Sequence, residues 1–254
     1  MQIILSKTAE ELGKTAAGLC RDLIEKAVAQ KGRARMVFST GASQFTTFEA
    51  LLNENIDWRR VEMFHLDEYV GLPESHPASF RRYLKERFIG KVDLKSVCLV
   101  DGEADIRSEL ARLTREIREA PVDIGLIGIG ENAHIAFNDP PADFDTREAY
   151  RTVRLSETCK AQQVREGWFP TAADVPRTAI TMTPFQIMSI GNILSCVPYG
   201  VKAKAVKDTV SGKVSPDVPA TLLKEHACWT LLVDAESAGL LTPEELACGN
   251  YIKR

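Results

Sequence analysis

Short apolar runs alternate along the chain with longer stretches in which apolar positions recur every three or four residues. The first pattern suits strands buried on both faces and the second suits helices with one buried stripe. Together they predict βαβ units building an α/β fold, a doubly wound, mostly parallel sheet with helices on both faces in a Rossmann-like three-layer sandwich. Thr8-Ala-Glu-Glu11 has the form of a capping box, and Leu12, Ala16, Leu19, Leu23 and Ala27 follow it at spacings of three and four, as a helix with one buried stripe requires. Strands are predicted at Arg35–Ser39, Val61–Leu66, Val122–Ile129, Tyr150–Leu155, Arg177–Met182, Asn192–Val197 and Trp229–Val233. Further helices are predicted over Thr46–Asn53, Ala78–Phe88, Ile106–Glu119, Glu157–Gly167, Val201–Val210 and Pro243–Cys248. No repeat or Pro/Gly/Ser-rich linker divides the chain, so residues 1–254 are read as one domain. Ligands of such folds bind beyond the carboxyl ends of the strands, which makes the strand-to-helix turns the places to look for chemistry.

Composition narrows the function. The chain has 44% hydrophobic residues and a formal net charge of −3, with 32 basic and 35 acidic residues interspersed, so it carries no footprint of a nucleic-acid binder. The opening Met1-Gln-Ile-Ile-Leu-Ser-Lys-Thr8 turns polar too soon for a signal peptide, and no segment is apolar for the length of a membrane span, so a cytosolic protein without a membrane partner is expected. Cys20, Cys98, Cys159, Cys196, Cys228 and Cys248 are far apart, without C-x-x-C pairs or zinc-finger spacing, and are expected to be reduced and mostly buried.

Four segments can carry chemistry. Ser39-Thr-Gly-Ala-Ser-Gln44 joins a predicted strand to a helix, where backbone N–H groups and the helix dipole favour an anion; the same residues would also serve as an ordinary capped turn. Phe64-His-Leu-Asp-Glu-Tyr-Val-Gly-Leu-Pro73 ends an apolar strand in two adjacent carboxylates, Asp67 and Glu68, either of which could act as a base or cap the next turn. Alternation puts His65 and Asp67 on one face of the strand and Glu68 on the other, which argues against a metal site. Asp123 to Pro140 contains Gly125-Leu-Ile-Gly-Ile-Gly130 without the G-x-G-x-x-G order of a dinucleotide loop. It delivers His134 into a polar loop with Asn132, Asn138 and Asp139, where it could be a structural hydrogen-bonder or a proton carrier, and a carboxylate such as Asp139 accepting one ring N–H would fix the tautomer and raise basicity at the other nitrogen. In Tyr199-Gly-Val-Lys-Ala-Lys-Ala-Val206, a glycine turn places Lys202 at the start of a helix, where its compact charge could face a phosphate or simply solvent.

Taken together, these segments resemble the glucosamine-6-phosphate deaminase (isomerase) family, whose relatives include the 6-phosphogluconolactonases. The likeness lies in Phe64–Pro73 with His76-Pro77-Ala-Ser-Phe80, in Gly128-Ile-Gly…His134-Ile-Ala-Phe-Asn-Asp-Pro140, and in Val175-Pro-Arg-Thr-Ala-Ile-Thr-Met182. It implies that Asp67 shuttles a proton between C2 and C1 of an amino-sugar phosphate, that His134 opens the pyranose ring, and that Asp139 supports His134. It also implies that Thr40, Gly41, Ala42 and Ser43 wrap the phosphate with Lys202, and that Arg165, upstream of Trp168-Phe169-Pro170, binds substrate. The chemistry so implied is proton transfer with a nitrogen leaving group, which requires no metal, nucleotide or redox cofactor.

The departures from the family pattern bear on the histidine. Asn132 stands where many members have aspartate, Ala133 where glycine is usual, and Asp139 where many have glutamate; the loop reads Thr-Gly-Ala-Ser instead of Thr-Gly-Gly-Thr. Asparagine cannot ionise, so Asp139 is expected to orient His134 by itself. Galactosamine 6-phosphate is an alternative substrate, since the epimers differ in one hydroxyl. Lactone hydrolysis is the nearest rival reaction, and Ala136-Phe-Asn-Asp-Pro140 favours the deaminase side. A non-catalytic sugar-phosphate sensor would ordinarily carry a DNA-binding segment, which is not seen in this sequence. A homo-oligomer is compatible with the sequence, which does not determine one.

Overall fold

A computed structural model describes residues 1–248 and 252–253. Its strands are β1 (Gln2–Leu5), β2 (Ala34–Phe38), β3 (Val61–His65), β4 (Asp67–Tyr69), β5 (Ser96–Cys98), β6 (Ile124–Leu126), β7 (Tyr150–Arg154), β8 (Thr178–Met182), β9 (Asn192–Val197), β10 (Trp229–Val233) and β11 (Ile252–Lys253). The α-helices are α1 (Ala9–Lys31), α2 (Phe45–Leu52), α3 (Phe80–Arg87), α4 (Ile106–Arg118), α5 (Glu157–Arg165), α6 (Pro184–Met188), α7 (Ala203–Ser211) and α8 (Pro243–Cys248).

The main sheet is parallel, in the order β11-β1-β10-β9-β6-β2-β3-β5. Alternation along β2 sends Met36 and Phe38 into one core with α1, α2 and α3, and Val37 into the other with α4, α6 and α7. Both faces are therefore covered, and β2, β3 and β9 are buried along almost their whole length. The chain builds outward through β2, β3 and β5 and then returns to place β6 on the other side of β2, so the strand order reverses between β2 and β6. That reversal splays the two following loops apart and opens a crevice between them.

α1 begins where the capping box lies. Thr8 Oγ1 accepts from Glu11 N–H at 3.2 Å and the Glu11 carboxylate accepts from Lys7 N–H at 3.0 Å. Its deepest stripe is Leu12, Ala16, Cys20, Ile24 and Ala27, while Leu19 and Leu23 lie half-buried at its edge. Within β2, Arg35 is a buried charge with a full set of partners. Its guanidinium donates to Glu62, to the carbonyls of Glu116, Ile117 and Ala120 at the end of α4, and stacks over Phe64 at 4.5 Å.

Two predicted strands lie elsewhere than in the parallel sheet. β7 and β8 are antiparallel to each other and join β4 in a separate three-stranded sheet, with Asp67 opposite Thr181. Tyr-Arg-Thr-Val-Arg in β7 is half-exposed, and a strand of that polarity cannot sit sandwiched between two helical layers. β4 follows β3 after the single residue Leu66, so the chain changes sheets at the position that precedes Asp67. The predicted strand Val122–Ile129 is hydrogen-bonded as strand only over β6, after which the chain turns into the loop that carries His134. β1, β5 and α6 are additional elements, too short for their periodicity to declare them. Among the described cysteines Cys20, Cys159 and Cys196 are buried, Cys98 is half-buried and Cys228 is exposed; all five are free thiols. The surroundings of the Cys248 side chain lie outside the described residues.

Candidate active site

A cavity of about 420 Å³ opens over the carboxyl ends of β2, β3, β6 and β9. Thr40, Gly41, Ala42, Ser43, Asp67, His134, Arg165 and Lys202 all line it, so the structure brings residues more than 160 positions apart to one wall. Asn132 and Asp139 lie behind the His134 ring and not on the cavity wall, which makes them positioning residues.

The loop after β2 turns through Gly41 at φ 102°, a conformation that strains any residue with a Cβ. Tyr83 OH, from α3, donates to the Gly41 carbonyl at 2.9 Å and holds the loop over the start of a 3₁₀ turn, Ala42–Gln44, that leads into α2. Lys202 closes the same end of the cavity from the residue before α7. It is 8% exposed, and among the described residues it makes no ion pair. Burial pulls its pKa down, Glu166 and Glu131 pull it back up, and Arg165 adds to the lowering. A buried ammonium without a contacting ion-pair partner is costly, and an anion in the loop would offset that cost.

Asp67 is 5% exposed and faces the cavity at the sheet change. Burial, reinforced by the charge of Glu68, raises its pKa from 3.8 to about 8, and the Phe137 N–H only partly counters this. Glu68 has a different task. Its carboxylate, fully buried, accepts from Ser79 Oγ at 2.8 Å and from the N–H groups of Tyr69, Phe80 and Arg81 at 3.0, 3.2 and 2.9 Å, pinning the N-terminus of α3. Of the two adjacent carboxylates, then, Glu68 caps the helix and Asp67 stays free for chemistry. His65, the third polar residue of the segment, is fully buried with its pKa lowered to about 3 by burial, then by Arg81, and its ring serves the core. No group of three His, Cys, Asp or Glu among the described residues is arranged to hold a metal ion.

The His134 ring rests against the backbone of Gly130. A Cβ there would sit 2.1 Å from Cε1, so this position must be glycine for the ring to lie where it does. Nδ1 is 2.5 Å from Asn132 Oδ1 and 3.3 Å from Asp139 Oδ1. Both neighbours are acceptors once the Asn132 amide is oriented by donating Nδ2–H to Asp139 Oδ1 at 3.1 Å. In the neutral tautomer Nδ1 therefore carries the proton, and the lone pair of Nε2 is the one available to act as a base. Asp139 does not orient His134 alone, as its sequence context suggests; Asn132 supplies the nearer contact, because a carbonyl oxygen accepts an N–H as well as a carboxylate does. Burial on its own would raise the Asp139 pKa, but His134, Ser156 and Asn132 together bring it down to about 2. The preceding Ala133 has φ 62°, so alanine occupies a left-handed position suited to glycine.

Four cavity residues carry no motif that sequence reading could have caught, Tyr83, Gln162, Gln163 and Glu166, while Glu131 and Tyr199 sit inside segments singled out for other residues. Tyr69 OH donates to Gln163 Oε1 at 2.8 Å and Gln162 Nε2 donates to Glu166 at 2.7 Å, so the two amides are held in defined orientations. Arg165 lies at the rim, paired with Glu131.

A family model described as glucosamine-6-phosphate isomerases/6-phosphogluconolactonase matches residues 7–232. The chain belongs to this family. A glucosamine-6-phosphate deaminase of Lactobacillus delbrueckii subsp. bulgaricus is 36% identical over 242 residues, covering 95% of this chain and 100% of that protein. One from Exiguobacterium sibiricum is 34% identical over 250 residues, covering 98% and 96%. Among solved structures, a monomeric glucosamine-6-phosphate deaminase superposes with a TM-score of 0.86 at 32% identity, covering 94% of this chain and all of the other. A 6-phosphogluconolactonase from Thermotoga maritima, at 17% identity and a TM-score of 0.76 over 92% and 99%, shares the fold.

Proposed function

We propose that this family member is a glucosamine-6-phosphate deaminase, converting glucosamine 6-phosphate and water into fructose 6-phosphate and ammonia. The observation that carries the reading is a buried carboxyl, Asp67, with a pKa of about 8, on the same cavity wall as a histidine whose free nitrogen is fixed by its partners. The anionic end of the substrate is assigned to Thr40, Gly41, Ala42 and Ser43, with Lys202 as its counter-charge and Arg165 at the rim. His134 Nε2 takes the proton of the C1 hydroxyl and delivers it to the ring oxygen, which opens the pyranose. Asp67, as carboxylate, removes the C2 proton to form an enolamine and returns it to C1. Water then attacks the resulting C2 iminium, and nitrogen departs as ammonia to leave the ketose.

A proton shuttle of this kind needs a base whose pKa is near working pH, which burial provides for Asp67. Lactone hydrolysis would need an activated water and has no use for a second proton carrier at carbon. The assay is ammonia release from glucosamine 6-phosphate and galactosamine 6-phosphate, with lactone turnover measured alongside. Asp67→Asn should abolish ammonia release; full activity in that variant, or lactone turnover by the wild type without ammonia, overturns the reading.

A further inference from the structure

We infer that Ser156 is a positioning residue that ties the first turn of α5 to the acid–base state of His134. The inference rests on the assignment of His134 as the ring-opening base. Asp139 offers two oxygens, and they are divided. Oδ1 takes the Asn132 amide and faces His134 Nδ1, whereas Oδ2 accepts the Ser156 hydroxyl at 2.7 Å. Ser156 Oγ in turn accepts from Cys159 N–H at 3.0 Å as the N-cap of α5. Its single proton thus goes to the carboxylate and its lone pair to the helix, so one hydroxyl serves both sides.

The consequence follows from what each side does. The Ser156 O–H draws negative charge to Oδ2, which sets how strongly Oδ1 attracts the Nδ1 proton and hence how basic Nε2 is. The same bond stops the carboxylate from rotating away from the imidazole. On the other side, α5 presents Gln162, Gln163 and Arg165 to the cavity, so the cap registers the substrate-facing helix against the base. Other ionisable groups facing this cluster are Asp67 across the cavity, Lys202 and the Glu131–Arg165 pair at its rim, and Cys159 beneath α5. None of them touches Asp139 Oδ2, so the hydroxyl is the local control.

The test uses three variants that separate capping from positioning. Ser156→Thr keeps both roles. Ser156→Gly removes the donor but remains a tolerable N-cap, and Ser156→Ala removes both. Positioning requires that Gly and Ala lower kcat alike, by about ten-fold, with KM little changed, while Thr restores the wild-type value. It also requires that the His134 titration midpoint, followed by NMR in the unliganded protein, move in Gly and Ala and not in Thr. A Ser156→Gly protein with wild-type kcat and an unshifted His134 titration overturns the inference and leaves Ser156 a helix cap. The titration is independent of substrate, so an inactive wild type would count against the proposed reaction while the shift in His134 still judged Ser156.

Discussion

Replacing Asp67 with asparagine should stabilise the protein, and by an amount that grows with pH. The native carboxyl has a pKa of about 8 against an ordinary 3.8, because it is buried with few donors. Between those values the unfolded chain has released the proton and the native protein still holds it. Fewer protons are bound in the unfolded state, so this group makes stability fall as pH rises through that window and contributes no further change above about 8. The gap between 3.8 and pH 7, at about 1.4 kcal/mol per pH unit, corresponds to about 4 kcal/mol, and the limit above pH 8 is about 6 kcal/mol. That is a large share of the 5–15 kcal/mol typical of a domain's net stability. Asparagine has nearly the same shape and no such titration. Urea unfolding of both proteins at intervals from pH 5 to pH 9 reads the term, because groups that do not interact with Asp67 cancel in the difference and Glu68 is the one charged neighbour that does. The stability gap should widen by about 3 kcal/mol between pH 5 and pH 7 and level off above pH 8. A gap that stays constant across the range would mean that Asp67 ionises like an exposed carboxyl, and the case for a tuned base would go with it.

Other consequences can be measured on the same protein. Since Asp67 must be ionised to take a proton from carbon, kcat/KM should rise with pH up to about 8; a flat profile from pH 6 to pH 9 would contradict this. Gly130→Ala should displace the His134 ring and lower kcat about 100-fold with little loss of secondary structure by circular dichroism, and near-normal turnover would show that the ring is not held there. Lys202→Met should raise KM at least about ten-fold yet stabilise the folded protein by about 1 kcal/mol, since a buried unpaired ammonium is removed; a stability loss in thermal melts would mean that the lysine has a partner.

Much of the fold was legible because burial on both faces leaves a simple mark. Met36 to Phe38 in β2, or Ile193 and Leu194 with Cys196 and Val197 in β9, put apolar side chains on both faces of a strand, as a covered parallel sheet requires, and the Thr8 capping box announces α1 by local chemistry alone. β7 and β8 were visible as strands but not as members of a second sheet, since they follow the same backbone rules whichever partners they take, and the short β4 was not predicted as a strand. Within the site, Asp67, His134, Lys202 and the 40–43 loop stand out as polar residues at strand ends, and all reach one cavity. Gln162 and Gln163 do not, because an amide becomes a site residue only through where its helix is docked.

The sequence by itself determined the layered architecture and the side chains available for proton transfer, since these follow from periodicity, local capping and residue type, and its motifs carried the resemblance to the family. Only the tertiary structure decided what each does. Asp67 and Glu68 are adjacent and chemically alike, yet one is a buried acid with a pKa of about 8 and the other a helix anchor, because the chain changes sheets between Leu66 and Asp67 and alternation sends the two carboxylates to different surroundings. Likewise Asn132, which cannot ionise, still fixes the His134 tautomer, because the fold puts its carbonyl 2.5 Å from Nδ1. Charge and basicity belong to an environment, and residues distant in sequence supply most of it.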